Sequence, residues 1–421
     1  MSSDEVGETE MSDMKSSEKS PIAAAVSAPV MRRHNLSLAL RTIWDAGRIS
    51  RTELARKLNL SKPAITRIVG DLIGAGYLDE TSDHTASGRG RPSSYLHLRP
   101  GMHYFIGVDF RVDRMAVQAR DLAGNIIYDR HYPVLRGDKV GHVVAVFTET
   151  INAAAAQVGT RPAGIGISLP AELSLDGETV VSSVYFDWRN VPFVAMLRQA
   201  LGAGWPTITL SDVSSCAAMA NWRELAPTGV SDLANVQVGV GAGVGFAGHK
   251  FPADRSRTLM KRFSHLPMQR HGPRCTCGAQ GCLDALVGFD ALVGSAERCG
   301  IALRQDADAM NAFCADLLAL HRQGRPEATA AIETAAQWFA RATAIVISAV
   351  SPARVTLGGY PLHLGEVYLD AFMTELESIA PAATGLMTTT SLGDEASVAG
   401  AVLLGMQSLM IDPLAGADEA A

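Results

Sequence analysis

Two helix-start signals separated by a short turn constrain this chain more than any other feature. Ser50-Arg51-Thr52-Glu53 matches a capping box, in which Ser and Glu side chains satisfy the free amides of a first helical turn. The helix it opens buries Leu54, Ala55 and Leu58, and Asn59, a residue that tolerates left-handed geometry, turns the chain. Ser61 then caps a second helix, with Pro63 in its first turn and Ile65, Ile68, Val69 and Leu72 facing inward. Upstream, residues 35–46 place Leu36, Leu38, Leu40, Ile43 and Trp44 on an approximate helical stripe that Gly47 ends. Small Ala55 allows two crossing helices to approach closely, and the turn has helix-turn-helix length.

Charge placement says what this motif faces. The whole chain carries −6, from 37 basic and 43 acidic residues, which taken alone argues against nucleic acid. Residues 1–30 carry −4, residues 31–99 carry +6 and residues 100–421 carry −8, so the only basic block is the helix-turn-helix. The second helix turns Lys62, Ala64, Thr66 and Arg67 outward, with Ser61 at its cap. Short polar and basic side chains at a helix N-terminus suit base-edge and phosphate contacts in a major groove. After Gly76-Tyr77-Leu78, residues 85–91 and the alternating Tyr95-Leu96-His97-Leu98 predict a β-hairpin wing. Within it, Arg89-Gly90-Arg91-Pro92 offers two guanidinium groups on a slim backbone that fits a narrow A·T minor groove. The alternative readings are a solvated linker for the arginines and a non-DNA helical hairpin for the helices.

The first thirty residues are Ser-, Glu- and Ala-rich and predict a disordered acidic tail without a secretory signal. At 47% hydrophobic and 19% charged residues, the remainder of the 421 has ample material for a folded core of two to four domains. The longest apolar stretch, near 342–350, is far short of the ~20 residues that span a bilayer, so no membrane partner is expected. Six cysteines in a chain this long, three of them clustered, suit a reducing cytoplasm.

From Tyr104 onward strands alternate with helices. Phe105-Ile106-Gly107-Val108 is an apolar strand, and residues 115–119 and 126–128 flank the turn Ala123-Gly124-Asn125. Residues 235–240 open a second such region after a helix over 212–224, which suggests a duplicated α/β architecture with a cleft between lobes. The strongest chemical signal is His265-x9-Cys275-x-Cys277-x4-Cys282. Three thiols and an imidazole are the donor set of a closed tetrahedral Zn²⁺ site, which would leave no position for a catalytic water and would therefore be structural; the alternative reading is free thiols and an unrelated His. Gly272, Gly278 and Gly281 let the loop fold tightly. Cys216, Cys299 and Cys314 are expected to be packing residues.

Over residues 32–408 the chain resembles the ROK family (repressors, open reading frames and sugar kinases), in its transcriptional-regulator branch. The residues that carry the resemblance are the helix-turn-helix ending in Gly88-Arg89-Gly90-Arg91-Pro92, Gly107-Val108-Asp109, and Ser211-Asp212 leading Ala217-Ala218. They continue with the glycine run Gly239-Val240-Gly241-Ala242-Gly243-Val244-Gly245, the knot from Cys275 to Asp284, and Leu357-Gly358-Gly359. The resemblance implies a winged helix-turn-helix over 31–100, followed over 101–421 by a two-lobed actin-like domain of the ribonuclease H type that binds a sugar and forms oligomers.

Departures from the family pattern refine this expectation. Kinases of the family follow the aspartate equivalent to Asp109 with Gly-Gly-Thr, where this chain has Phe110-Arg111-Val112, so bulky side chains replace a bare phosphate-cradling turn. No enzymatic activity is expected. Asp212 matches the family's catalytic base, but its usual Asn neighbour is Ser211. Arg262 replaces a Glu three residues before His265, Ser264 replaces a Gly, Asp284 replaces a Glu, and Pro170-Ala171 replaces Pro-Gly. The effector residues implied are Ser211, Asp212, Arg262, His265 and Asp284. A guanidinium in place of a carboxylate reverses what the position binds. Two readings stay open: an acidic or phosphorylated sugar held by Arg262, or an ion pair of Arg262 with Asp284 or Asp212 in a site without sugar. The expected function is a sequence-specific DNA-binding regulator, a repressor of carbohydrate-related genes that responds to a sugar or sugar derivative. It is expected to bind a palindromic operator as a homodimer or homotetramer. The competing readings are a ROK sugar kinase with an appended DNA-binding domain, and a scaffold that has lost both ligands.

Overall fold

The computed structural model describes residues 27–82, 94–112, 114–133, 139–183, 185–251, 259–260, 262–297, 309–411 and 413–414. The head begins with α1 (Ala28–Ala46), β1 (Ile49–Ser50), α2 (Arg51–Leu58) and α3 (Lys62–Gly74). Helix α1 starts before residue 31, which shortens the expected tail, and Pro29 occupies its first turn, where a missing N–H costs nothing. Residues 1–26 lie outside the described residues. Ser50 and Glu53 form the complete capping box, Asn59 adopts the left-handed conformation (φ 52°), and the Ser61 hydroxyl accepts the Ala64 N–H. Leu36, Leu40 and Ile43 of α1 are buried together with Ala39, whereas Leu38 falls off the stripe and is 38% exposed. All four apolar residues expected to line α3 are buried. Strand β2 (Leu78–Ser82) pairs antiparallel with β3 (Ser94–Leu98), which also takes β1 on its other edge. This is the wing; residues 83–93, which separate the two strands in sequence and include Arg89 and Arg91, lie outside the described residues.

Two sheets form the body. The first contains β4 (Tyr104–Phe110), β5 (Arg114–Asp121), β6 (Ile126–Pro133), β7 (Gly164–Leu169) and β11 (Ile208–Asp212), in the order β11-β7-β4-β5-β6. Strands β4, β5 and β6 form an antiparallel meander, and β7 and β11 run parallel to β4. Between β7 and β11 lie three short strands, β8 (Glu172–Leu173), β9 (Val180–Ser183) and β10 (Trp188–Val191), that make a small sheet of their own. Helices α4 (Val140–Val158) and α5 (Phe193–Leu201) contribute to the apolar core on one side of the first sheet. The second sheet repeats the scheme with β12 (Asp232–Val238) hairpinned to β13 (Ala242–Gly248), then β14 (Arg354–Gly359) and β15 (Met387–Thr388) in parallel. The duplication expected from the strand spacing is thus present as a hairpin followed by parallel strands in each sheet. An aromatic-rich core lies against the second sheet, drawn from α7 (Leu283–Val287), α8 (Phe289–Glu297), α9 (Ala309–Arg322), α10 (Pro326–Val350), α11 (Pro361–Leu364) and α12 (Glu366–Ile379).

Two helices fill the space between the sheets. Helix α6 (Val213–Leu225) lies on β12 and β13, α13 (Ala396–Ile411) lies on β4 and β7, and the two pack against each other. The contact of α13 with its sheet is so close that a Cβ on Gly166 would run into the Ala401 carbonyl. Gly166→Ala therefore forces the helix off the strand, and a loss of about 1–3 kcal/mol is expected in urea unfolding. The far end of α13 serves the head: Val402, Met406, Leu409 and Met410 share one apolar cluster with Leu36, Leu40, Ile65 and Leu72.

Candidate functional site

The parallel strands of the first sheet bring Asp109, Ser168 and Ser211 side by side across β4, β7 and β11, with Asp212 one residue on. Strand C-termini are where α/β sheets bind ligands. A cleft of about 700 Å³ opens there, and Ser211, Asp212, Arg262, His265 and Asp284 all line it. Ser211 is buried at the strand end. Asp212 caps α6, its Oδ1 accepting the Ser215 N–H at 2.9 Å. Asp284 accepts the Ala242 N–H at 2.7 Å, so a carboxylate already occupies an amide of the glycine-rich turn between β12 and β13. Burial pushes the Asp284 carboxyl up to about 6, against the opposing pull of that amide and of the Tyr185 hydroxyl. Arg262 is exposed and makes no ion pair with Asp212 or Asp284, so the ion-pair reading of this position is not what the structure adopts.

The end of β4 is filled by side chains. Phe110 stacks at 4.9 Å on Phe186 and meets Phe147 edge-on at 5.3 Å, and Val112 is buried beside it. Arg111 turns back to Asp109 at 2.7 Å and reaches across to the Asp394 carbonyl and the Ser397 hydroxyl at 2.9 and 2.6 Å. Ser397 and Ser168 both donate to Asp109, so this guanidinium and this carboxylate join the first sheet to the start of α13.

His265, Cys275, Cys277 and Cys282 converge, with all four ligand atoms within 4.8 Å of one another. The Cys277–Cys282 sulfurs are 3.7 Å apart and His265 Nδ1 lies 3.6 Å from the Cys275 sulfur. Tetrahedral thiolates about 2.3 Å from a zinc ion stand roughly 3.8 Å apart, close to the Cys277–Cys282 spacing, so this donor set suits such an ion. The knot closes through Cys275 N–H to the Ala279 carbonyl at 2.8 Å, and Gly281 (φ 67°) takes a left-handed turn beside Gln269. Cys282 is the N-cap of α7, whose first turn holds Asp284. The knot thereby positions both His265 and Asp284 at the cleft wall. Cys216 and Cys314 are buried, as packing residues should be, and Cys299 lies outside the described residues.

On the head, Ser61, Lys62, Thr66 and Arg67 are exposed on α3 and Ala64 is half-buried. Other cations of the basic block are spent on the fold: Arg51 pairs with Glu80 at 2.7 Å, Arg99 with Asp79 at 2.7 Å and Arg32 with Asp71 at 3.0 Å. One residue that pattern reading missed is Arg223, in the last turn of α6. It pairs with Asp45 at 2.8 Å, donates to the Trp44 carbonyl and lies 4.2 Å over the Trp44 ring. Arg41 donates to the Met410 carbonyl at 3.1 Å and Ser37 donates to the same oxygen, so the head is held by the far ends of both central helices.

The fold and cleft define a two-lobed, actin-like protein of the ribonuclease H type with a winged helix-turn-helix head. The ROK family model matches residues 105–408 and the MarR family model residues 35–85, and the chain belongs to the ROK family. It is 22% identical over 398 residues to a xylose repressor of Caldicellulosiruptor bescii, spanning 91% of this chain and 98% of that one. The crystal structure of a ROK family transcriptional regulator, a homolog of the E. coli MLC protein, superposes with a TM-score of 0.71 at 20% identity, over 91% of this chain and 97% of that one. A ROK family glucokinase from Streptomyces griseus, solved with glucose and AMPPNP, superposes at 0.60 and 23% identity over 72% and 99%. These structural likenesses establish the fold, which repressors and kinases share. Among the described residues no helix is long and apolar enough to cross a membrane.

Proposed function

We propose that this protein is a sequence-specific transcriptional regulator, a repressor of carbohydrate-related genes, controlled by a sugar or sugar derivative in the cleft. The observation that carries this reading is the junction between head and body: a DNA-reading helix is mounted on the two helices that begin at the cleft. Asp212 caps α6 and Ser397 opens α13 at the cleft, while Arg223 and Met410 meet α1 at the other ends. A cleft ligand that shifts one lobe against the other would move the head with it. Lys62, Thr66 and Arg67, with Ser61 and Ala64 at the helix start, face the major groove. Arg89 and Arg91, between the two wing strands in sequence, are assigned to the minor groove. Two heads in a homodimer, or two pairs in a homotetramer, suit a palindromic operator in the cytoplasm. The length-matched xylose repressor supports the reading.

The kinase alternative requires a bare loop after Asp109 for phosphate. Here Phe110 is packed into the core, Arg111 is committed to Asp109 and Ser397, and Asp284 holds an amide of the second glycine turn. Phosphoryl transfer depends on positioning and charge stabilisation at the phosphates, and these commitments of Phe110, Arg111 and Asp284 favour the regulator over the kinase. A coupled ADP-release assay over a panel of sugars tests this, with turnover at background expected and any sustained turnover contrary to it. The His/Cys3 set is assigned to a structural Zn²⁺, held by His265, Cys275, Cys277 and Cys282. The ion, when bound, cross-links the knot and supplies no reacting group.

A further inference from the structure

The buried and half-buried acids around the cleft have partners within the protein on at least one oxygen, although the other oxygen of half-buried Asp394 accepts no hydrogen bond among the described residues. Asp109 has Arg111, Ser168 and Ser397; Asp394 has His363 at 2.8 Å and Arg114 at 3.7 Å. Asp284 has the Ala242 N–H and Tyr185, and one oxygen of Asp212 is held by Ser215. Two arginines lining the same cleft are different. Arg189 on β10 and Arg262 beside His265 are both exposed, and neither has an ion-pair partner among the described residues. Exposed carboxylates share this rim: Asp187, and Glu172, which faces Ser182 across the small sheet with Arg189 on the next strand.

A guanidinium left open on the wall of a concave site favours a planar or tetrahedral oxyanion, because its forked donors match carboxylate and phosphate. The second Asp212 oxygen remains to accept hydroxyl groups, as does Glu172, one oxygen of which already takes the Ser182 hydroxyl at 3.4 Å; such acceptors are the requirement of a carbohydrate. We propose that the cleft takes an acidic carbohydrate, whose carboxylate or phosphate is bound by Arg262 while its hydroxyl groups are bound by Asp212. This rests on the reading of the cleft as the effector site and names the class of that effector.

The test is calorimetric titration of the full chain, and of Arg262→Gln and Asp212→Asn, with three sets of probes. These are neutral sugars (glucose, xylose, N-acetylglucosamine), sugar carboxylates (gluconate, glucuronate, galacturonate) and glucose 6-phosphate. Acidic probes are expected to bind and neutral ones to bind at least tenfold more weakly. Arg262→Gln should weaken the acidic probe about ten- to a hundredfold, and this loss should shrink as salt is raised. Asp212→Asn should weaken acidic and neutral probes alike. The carboxylate and phosphate arms separate the two sources of charge, and binding in either supports the proposal. Neutral sugars binding as tightly as acidic ones, or an unchanged acid affinity in Arg262→Gln, overturns the acidic class while leaving the effector cleft intact. Binding of no probe overturns both. Arg262 is exposed, so its variant should keep the wild-type melting curve, and that curve is measured alongside.

Discussion

Replacing Cys277 by Ser is expected to lower the melting temperature and abolish the ligand response in the same variant. Cys277 is the exposed member of the His/Cys3 set, so the substitution introduces no packing defect of its own. It removes one of four ligands, and structural zinc in isolated finger peptides contributes an apparent ~10–16 kcal/mol. Here part of the knot is also held by backbone hydrogen bonds, and a loss of about 3 kcal/mol or more is expected, roughly 6–12 °C for a domain of this size. Loss of response follows from connectivity: Cys282 immediately precedes α7, and α7 positions Asp284 on the glycine turn. Metal analysis, thermal melting and ligand-dependent DNA binding on one preparation check the prediction. A Cys277→Ser protein that is metal-free, melts like wild type and still responds to ligand contradicts it. Chelator treatment of the wild-type chain should reproduce the variant.

Arg223→Ala is expected to separate ligand binding from DNA release. Helix α6 spans about 20 Å at 1.5 Å per residue, from its Asp212 cap at the cleft to Arg223 under the head. Arg223 is the polar contact between that helix and α1, combining an ion pair, a carbonyl hydrogen bond and a ring contact. The apolar cluster with α13 remains, so the head should stay folded and its intrinsic DNA affinity should change little. Allosteric coupling is typically 1–3 kcal/mol, or about 5–150-fold between the two ligand states, and it should collapse toward unity. Cleft affinity, measured separately, should be unchanged because Arg223 lies at the other end of the helix. Faster amide exchange at the end of α1 would report the loosened junction directly. An Arg223→Ala protein that exchanges like wild type and retains full coupling would show that α13 alone transmits the signal.

What could be read from the amino acids follows the range of the interactions. The Ser50–Glu53 box, the Ser61 cap and the inward face of α3 are local, fixed within four residues, and each is present in the fold. The His/Cys3 set was legible because its donor chemistry is rare and mostly confined to one short loop. Leu38 misled because an approximate stripe was counted where the helical period places it outside. The tail boundary was too late because Ala28–Val30 lack large buried side chains, although Pro29 is a helix-start residue. Arg111 illustrates the other limit. Its identity marks a departure from the Gly-Gly-Thr of the family's kinases, but its contacts with Asp394 and Ser397 span more than 280 positions, and no pattern predicts them. Arg223 and Tyr185 were invisible for the same reason, as lone residues whose meaning depends on distant partners. The net charge of +6 over 31–99 also overstated the DNA surface, since Arg32, Arg51 and Arg99 neutralise acids within the head.

The most direct test of the central claim is selection of bound duplexes from a randomised DNA library by the full chain, beside a Lys62→Ala/Arg67→Ala double variant. Both side chains are exposed on α3, so the variant should fold normally. The expected result is enrichment of one twofold-symmetric motif by the wild type, with the double variant losing about 30-fold or more in affinity for it, since good base contacts are worth roughly 1–3 kcal/mol each. Enrichment of no motif, or the same motif bound equally well by the double variant, would contradict a regulator that reads DNA through this helix.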